Sequence, residues 1–326
     1  MIFQGSSSMS YLSKNNFPIV IFTETFDSIS DSVCRWLLHY KQPFVRLNYN
    51  EPNLQVSEIS NNLNQGTFIL SNCGESLCFD RIKSIWFRRG SLYNLPISAI
   101  DDCSDDRIKS FLRNEYDTFF SFIHGELRRK CFVLGNPEKS ILNKIQVLNI
   151  ARNIGFAVPK SIITTNANKV RSFFKTPFLS KTINDLLEVE YNGKVYQQRI
   201  KYFHHIEDLP DVFSLSLFQE VINYVAEIRV FYLLGSCYTV VNYGIEKESI
   251  WTKYTLPKSI CENITKLMNE IDLNTGSIDL LFTEDCDYYF LEVNPVGQFE
   301  WLNYYGNFFL EKKIAEVLIE GIPYEK

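Results

Sequence analysis

Cysteine-based zinc and disulfide patterns are missing from this chain. Its eight cysteines, at 34, 73, 78, 103, 131, 237, 261 and 286, include no C-x-x-C pair and have no histidine set beside them. Neither a zinc site nor a disulfide framework is suggested, and buried, reduced thiols are expected. No apolar run approaches the ~20 residues that span a bilayer, and no signal peptide precedes Met9. A soluble, cytoplasmic protein with no membrane partner is expected. The formal charge of −5 gives no general attraction to nucleic acid. Local arginine pairs have neither an aromatic platform nor a basic stripe around them, so no nucleic-acid partner is expected. Internal repeats and low-complexity tracts are also lacking.

What is present is a chain of 326 residues, 45% of them hydrophobic. Beyond roughly 250 residues one core usually splits into several, so two or three lobes are expected. The opening MIFQGSSS has the look of a tag remnant, and residues 1–8 are set aside. A first lobe, 9–134, alternates strands and helices: FPIVIF (17–22), a helical pattern at 28–40, then PFVRLN (43–48), TFILSN (67–72) and SIWFRRG (84–90), with a helix near 105–123. This reads as a small, parallel-rich α/β domain.

GNPEKS (135–140) opens a second lobe, 135–222. A helix is expected over about 140–153, with Ile141, Ile145, Leu148 and Ile150/Ala151 on its inner face and Gly155 as its stop. Strands follow over 177–222, including a hairpin turn at Asn192-Gly193. The third lobe, 223–326, holds a helix at 257–271, a hairpin at 276–295 and a last helix at 307–320.

That hairpin carries the chemistry. A two-residue turn at Asp285-Cys286 sets Asp279 opposite Glu292, and Asn294 points to the same side because strand side chains alternate. Opposed like charges destabilise a sheet, so a compensating cation is required. Three hard oxygen donors suit Mg²⁺ carried in with a nucleotide's phosphates. A solvated strand end with unrelated polar residues accounts for the same pattern equally well. Cys286 stands where a tight turn prefers glycine.

The order of NKIQVLNIARNIGFAVP, LSK, FQEVINYVAEIRV, SIDLLF and FLEVNPVGQFEW resembles the ATP-grasp superfamily. The N-P-x-G-Q-F ending after LNTGSIDLLF looks like its peptide-modifying branch, the graspetide synthetases. WFRRG, LNTGSID, EVNPVGQF and LEKKIAE resemble the grasp-with-spasm peptide maturases within it. The resemblance implies an ATP-grasp fold, with an N-terminal α/β domain ahead of a central and a C-terminal lobe that clamp ATP.

Under that resemblance Lys144 and Lys181 match the two phosphate-binding lysines, although either is also read as a solvated cation. Gln219, Glu220 and the backbone of Val221 and Ile222 match the hinge that holds adenine. Glu227 has the spacing of the ribose carboxylate, or else pairs with Arg229. Arg229 matches the arginine that contacts the transferred phosphoryl group, and Asp279, Glu292 and Asn294 match the metal ligands. One departure stands out: only ten residues, GIEKESIWTK (244–253), fill a loop that is often longer in relatives.

Arg88 and Arg89 end a first-lobe strand, where α/β sheets tend to bind ligands, and are expected to grip an acidic peptide. ELRRK (126–130) reads as cations placed at a helix C-terminus. The activity implied is an ATP- and Mg²⁺-dependent peptide cyclase. It would phosphorylate Asp or Glu side chains of a ribosomal precursor peptide, leader plus core, and join them to Ser/Thr or Lys as ω-esters or ω-amides. Relatives are commonly homodimers. Two alternatives remain: a ligase joining an amino acid to a separate peptide or protein, and a nucleotide-binding protein without turnover.

Overall fold

Ile19–Thr23 (β1) is buried along its whole length, the mark of a strand covered on both faces. It is followed by Ser28–His39 (α1), Phe44–Asn48 (β2), Leu54–Ile59 (β3), Gly66–Leu70 (β4), Glu75–Cys78 (β5), Ser84–Phe87 (β6), Ser98–Asp101 (α2), Asp106–Lys130 (α3) and Phe132–Leu134 (β7). The computed structural model describes residues 17–50, 54–59, 66–70, 75–94, 97–175, 177–183, 188–191, 194–197, 200–244 and 250–321. The N-terminal octapeptide, the Asn192-Gly193 turn, Cys73 and positions 245–249 of the shortened loop lie outside the described residues.

β1, β2, β6 and β7 form a parallel sheet in the order β2-β1-β6-β7. Phe120, Ile123 and Leu127 of α3 pack on Val20, Phe22, Ile85 and Phe87 from this sheet. The TFILSN strand, expected in the parallel-rich lobe, instead joins a separate antiparallel sheet, β3-β4-β5. Its chain neighbours pair with it on both sides through short connections, which antiparallel strands allow and parallel strands do not.

The second part of the chain runs through Lys144–Ile154 (α4), Ser161–Thr164 (β8), Ala167–Phe173 (α5), Phe178–Lys181 (β9), Glu188–Tyr191 (β10), Lys194–Gln197 (β11), Lys201–Phe203 (β12) and Ser216–Glu220 (β13). Next come Ala226–Leu233 (β14), Ser236–Asn242 (β15), Trp251–Tyr254 (β16), Lys258–Glu270 (α6), Thr275–Phe282 (β17), Tyr288–Asn294 (β18), Glu300–Gly306 (α7) and Leu310–Glu320 (α8). α4 starts later than its sequence pattern because Asn143 caps it, accepting from the N–H groups of Ile145 and Gln146. Ile141 therefore precedes the helix and is 63% exposed, not on its inner face. The expected stop holds: Gly155 takes a left-handed φ of 111° at the C-cap.

Two compact units result, residues 1–138 with 309–326, and residues 139–308. In the first, the final helix α8 packs against α1 and β6. Tyr40 Oη donates to Glu316 at 2.8 Å and Ser84 Oγ donates to the Leu318 carbonyl at 2.7 Å. Helix α8 is thus a member of the first unit, whereas the expected third lobe includes it.

The second unit contains a four-stranded sheet, β12-β9-β13-β8, and a five-stranded antiparallel sheet, β16-β15-β14-β17-β18. Phe178 stacks between Phe174 and Phe203, at 5.1 and 4.9 Å, behind the first. One face of the larger sheet, with Ile228, Val230, Ile278, Leu280 and Phe290, is buried on α4 and on Ile264, Leu267 and Met268 of α6. The opposite face is left for chemistry. The cysteines among the described side chains are free thiols; Cys34 is buried, but Cys286 is exposed on a hairpin tip.

Candidate active site

The face opposite the core carries a row of charge across three strands. Arg229 of β14 is the ladder partner of Asp279 of β17, which is in turn the partner of Glu292 of β18. The opposition of Asp279 and Glu292 is as the sequence predicts, but the route differs. The hairpin loop is Glu284-Asp285-Cys286, closed by a Cys286 N–H to Thr283 carbonyl bond at 3.1 Å, with Cys286 left-handed at φ 64°. The register then shifts by one residue beyond Asp279, so that Leu280 faces Phe290. Three loop residues and a bulge at Leu291 together give the pairing that a two-residue turn alone would give.

The compensating cation demanded by the opposed carboxylates is partly protein-borne, because Arg229 forms an ion pair with Asp279. Burial lowers the Arg229 pKa, against the pull of Glu227 and Glu292. Lys181, at the end of β9, is lowered chiefly by burial; Glu292 nearby raises it and the neighbouring charge of Lys144 lowers it further. Two lysines, an arginine and two carboxylates are therefore drawn into one electrostatic neighbourhood. Asn294 sits on the same face at the end of β18, its Oδ1 accepting the Val296 N–H at 3.1 Å.

Glu227, one step along the face from Arg229, accepts a hydrogen bond from Tyr224 at 2.9 Å. Its charge also acts on Arg229, whose pKa it raises. Tyr224 was not singled out in the sequence, although it lies three residues before Glu227. A cavity of about 510 Å³ opens beside it, lined by Val221, Ile222, Tyr224, Asp285, Asp287 and Tyr289. Tyr289 shares a ladder row with Leu281 and Glu227, so the cavity lies at the hinge end of the charged face and does not include Glu292 or Lys181.

The hinge side chains are otherwise engaged than expected. Gln219 is 2% exposed and donates to Ser161 Oγ at 2.9 Å. Glu220 accepts the Lys160 N–H at 2.7 Å, and the Val221 N–H donates to the Pro177 carbonyl at 3.2 Å. Gln219 and Glu220 thus tie β13 to the β8 side of the sheet, where alternation along an edge-contacting strand sends Gln219 inward. Of the four hinge positions, Val221 and Ile222 reach the cavity wall.

In the first unit Arg88 is 3% exposed, its Nε 3.6 Å from Asp27, and burial pushes its pKa down to about 10 against Asp27's pull. Asp27 also accepts from Thr23 at 2.9 Å. In this arrangement the Arg88 guanidinium is buried beside a carboxylate rather than presented to solvent. Arg89, 29% exposed and paired with Glu24, is the more accessible of the two.

Residues that can hold a divalent ion are Asp279, Glu292 and Asn294, hard oxygen donors on one face. They fit Mg²⁺, which takes few carboxylates and completes its shell from phosphates and water. No helix among the described residues is long and apolar enough to cross a membrane.

Comparison with known proteins places the fold. No family model and no curated protein matches the chain. Among solved structures, it is similar to macrocyclase MdnC bound with precursor peptide MdnA from Microcystis aeruginosa MRC, with a TM-score of 0.76, 23% identity, and coverage of 93% of this chain and 99% of that one. A Chryseobacterium gregarium RiPP-associated ATP-grasp ligase, in complex with ADP and a leader and core peptide, gives 0.76 at 20% identity, covering 94% and 97%. The ATP-grasp ligase PsnB complexed with a phosphomimetic variant of minimal precursor, Mg and ADP gives 0.72 at 16%, covering 93% and 98%. The chain has the fold of ATP-grasp peptide ligases.

Proposed function

We propose that this chain is an ATP-dependent peptide macrocyclase of the graspetide type. The observation that carries the reading is the Arg229–Asp279–Glu292 row, set near Lys181 and Lys144, on a fold shared with ligases solved with precursor peptide and ADP. A side-chain carboxylate of the precursor attacks the γ-phosphorus of ATP, forming an acyl phosphate and releasing ADP. A Ser/Thr hydroxyl or Lys amine of the same peptide then attacks the acyl carbon. Phosphate leaves, and the proton of the attacking group is released.

In this reading Lys144, Lys181 and Arg229 offset the negative charge that builds on the transferred phosphoryl group. Val221 and Ile222 border the base, and Glu227 holds the ribose. Asp279, Glu292 and Asn294 hold Mg²⁺, which when bound neutralises the β- and γ-phosphates. Arg89 is the first-unit residue proposed to meet the acidic peptide. The same reading carries a cytoplasmic enzyme, a homodimer and a precursor made of leader and core.

Incubation with ATP, Mg²⁺ and precursor peptides holding Asp/Glu and Ser/Thr or Lys, followed by mass spectrometry, tests this. Each bond formed makes the peptide lighter by one water. A mass gain equal to a second substrate would indicate intermolecular ligation instead, and an unchanged mass without ADP would indicate binding alone. Mild base or hydroxylamine then separates esters, which open, from amides, which persist.

A further inference from the structure

Ser277 stands two residues before Asp279 on β17, so its side chain rises from the same face of the sheet. In the ladder it lies between Phe231 of β14 and Asn294 of β18. Its hydroxyl is closed off from solvent and has no hydrogen-bond partner among the described residues. Gly297 covers it: a Cβ at 297 would stand 2.4 Å from Ser277 Oγ and 2.5 Å from its Cβ. The glycine of the N-P-V-G stretch is therefore required by the serine beneath it.

A buried hydroxyl without a partner destabilises a fold, and alanine would occupy the same space without that cost. Packing thus supplies no reason for a serine, whereas the adjacent amide does. Asn294 Oδ1 accepts the Val296 N–H at 3.1 Å, which orients the oxygen end of the amide and leaves its Nδ2 donors at the other end. Ser277 is the residue directly across the ladder from Asn294.

We propose that Ser277 is a positioning residue for the divalent-ion site: its Oγ accepts a hydrogen bond from Asn294 Nδ2 when the ion is bound, fixing the amide so that the remaining lone pair of Oδ1 faces the ion. The inference rests on the reading that Asp279, Glu292 and Asn294 hold the ion. It deepens that reading by naming the group that orients the neutral ligand. Outer partners of this kind are worth about 10–100-fold in metal affinity when removed.

The test is an Mn²⁺ titration of the full chain with ADP present, read by electron paramagnetic resonance, with thermal midpoints measured alongside. Ser277→Ala is expected to weaken Mn²⁺ binding about tenfold with a midpoint that is unchanged or raised. On an Asn294→Ala background the same substitution is expected to cost nothing further, because its route to the ion is gone. Unchanged Mn²⁺ affinity in Ser277→Ala would overturn the proposal, and so would an undiminished effect in the double variant. Glu292→Gln separates the two layers of the argument. If it weakens binding while Ser277→Ala does not, only the positioning role falls; if Glu292→Gln is also silent, the ion site itself is wrong.

Discussion

Among the described residues, no cation is paired with Glu292 in the way that Arg229 is paired with Asp279, so its charge is the more available of the two to an incoming ion. Glu292→Gln is expected to leave the chain folded and to lower Mg²⁺-dependent ATP turnover by about 100-fold or more; near-normal turnover would remove it from the metal site. His124 provides a separate residue-scale test, confined to stability. It is fully buried, with Nδ1 donating to Glu138 at 3.1 Å. Burial lowers its pKa to about 4, and the Glu138 hydrogen bond only partly opposes the fall. The unfolded chain takes up a proton near pH 6.5 that the folded chain refuses until about 4. Stability is therefore intact above that window and is lost as pH falls through it, by up to about 3 kcal/mol. Thermal midpoints at neutral and mildly acid pH should diverge less in His124→Asn than in the parent, and equal divergence would contradict this account. Nothing in the sequence marks His124, because its burial depends on Phe87 and Tyr93 reaching it from elsewhere in the chain.

At the scale of elements, the β17–β18 hairpin shows how far pattern reasoning reaches. A two-residue turn set Asp279 opposite Glu292, and period-two alternation added Asn294 to the same face. The turn was not legible, because a three-residue loop with a left-handed cysteine and a later bulge cancel in their effect on register. That left-handed position favours glycine. Cys286→Gly is expected to stabilise the protein by about 0.5–1 kcal/mol, the left-handed penalty less the extra backbone entropy of glycine, and to leave ATP turnover unchanged, since the tip is exposed. A lower denaturation midpoint would mean that the cysteine makes a contact worth more than the backbone strain. The β13 hinge was legible as a strand but not in its side-chain roles. Gln219 and Glu220 are claimed by Ser161 and the Lys160 backbone, partners nearly sixty residues away in the chain, and only tertiary pairing decides that.

For the whole molecule, the alternation of strands and helices and the order of the motifs foretold the fold. The fate of the terminal helix was hidden, because an amphipathic segment states that it must be buried but not against what. One fold hosts many chemistries. Fold therefore leaves the substrate to be settled by chemistry. In the proposed reaction a peptide carboxylate is activated as an acyl phosphate and trapped by a side chain of the same peptide. A precursor whose Asp and Glu side-chain carboxylates carry a heavy oxygen isotope measures this directly. With ATP and Mg²⁺, each ring formed should transfer one heavy oxygen from the peptide to the inorganic phosphate, as read by mass spectrometry of phosphate and peptide together. Release of ADP with unlabelled phosphate and an unchanged peptide would contradict it.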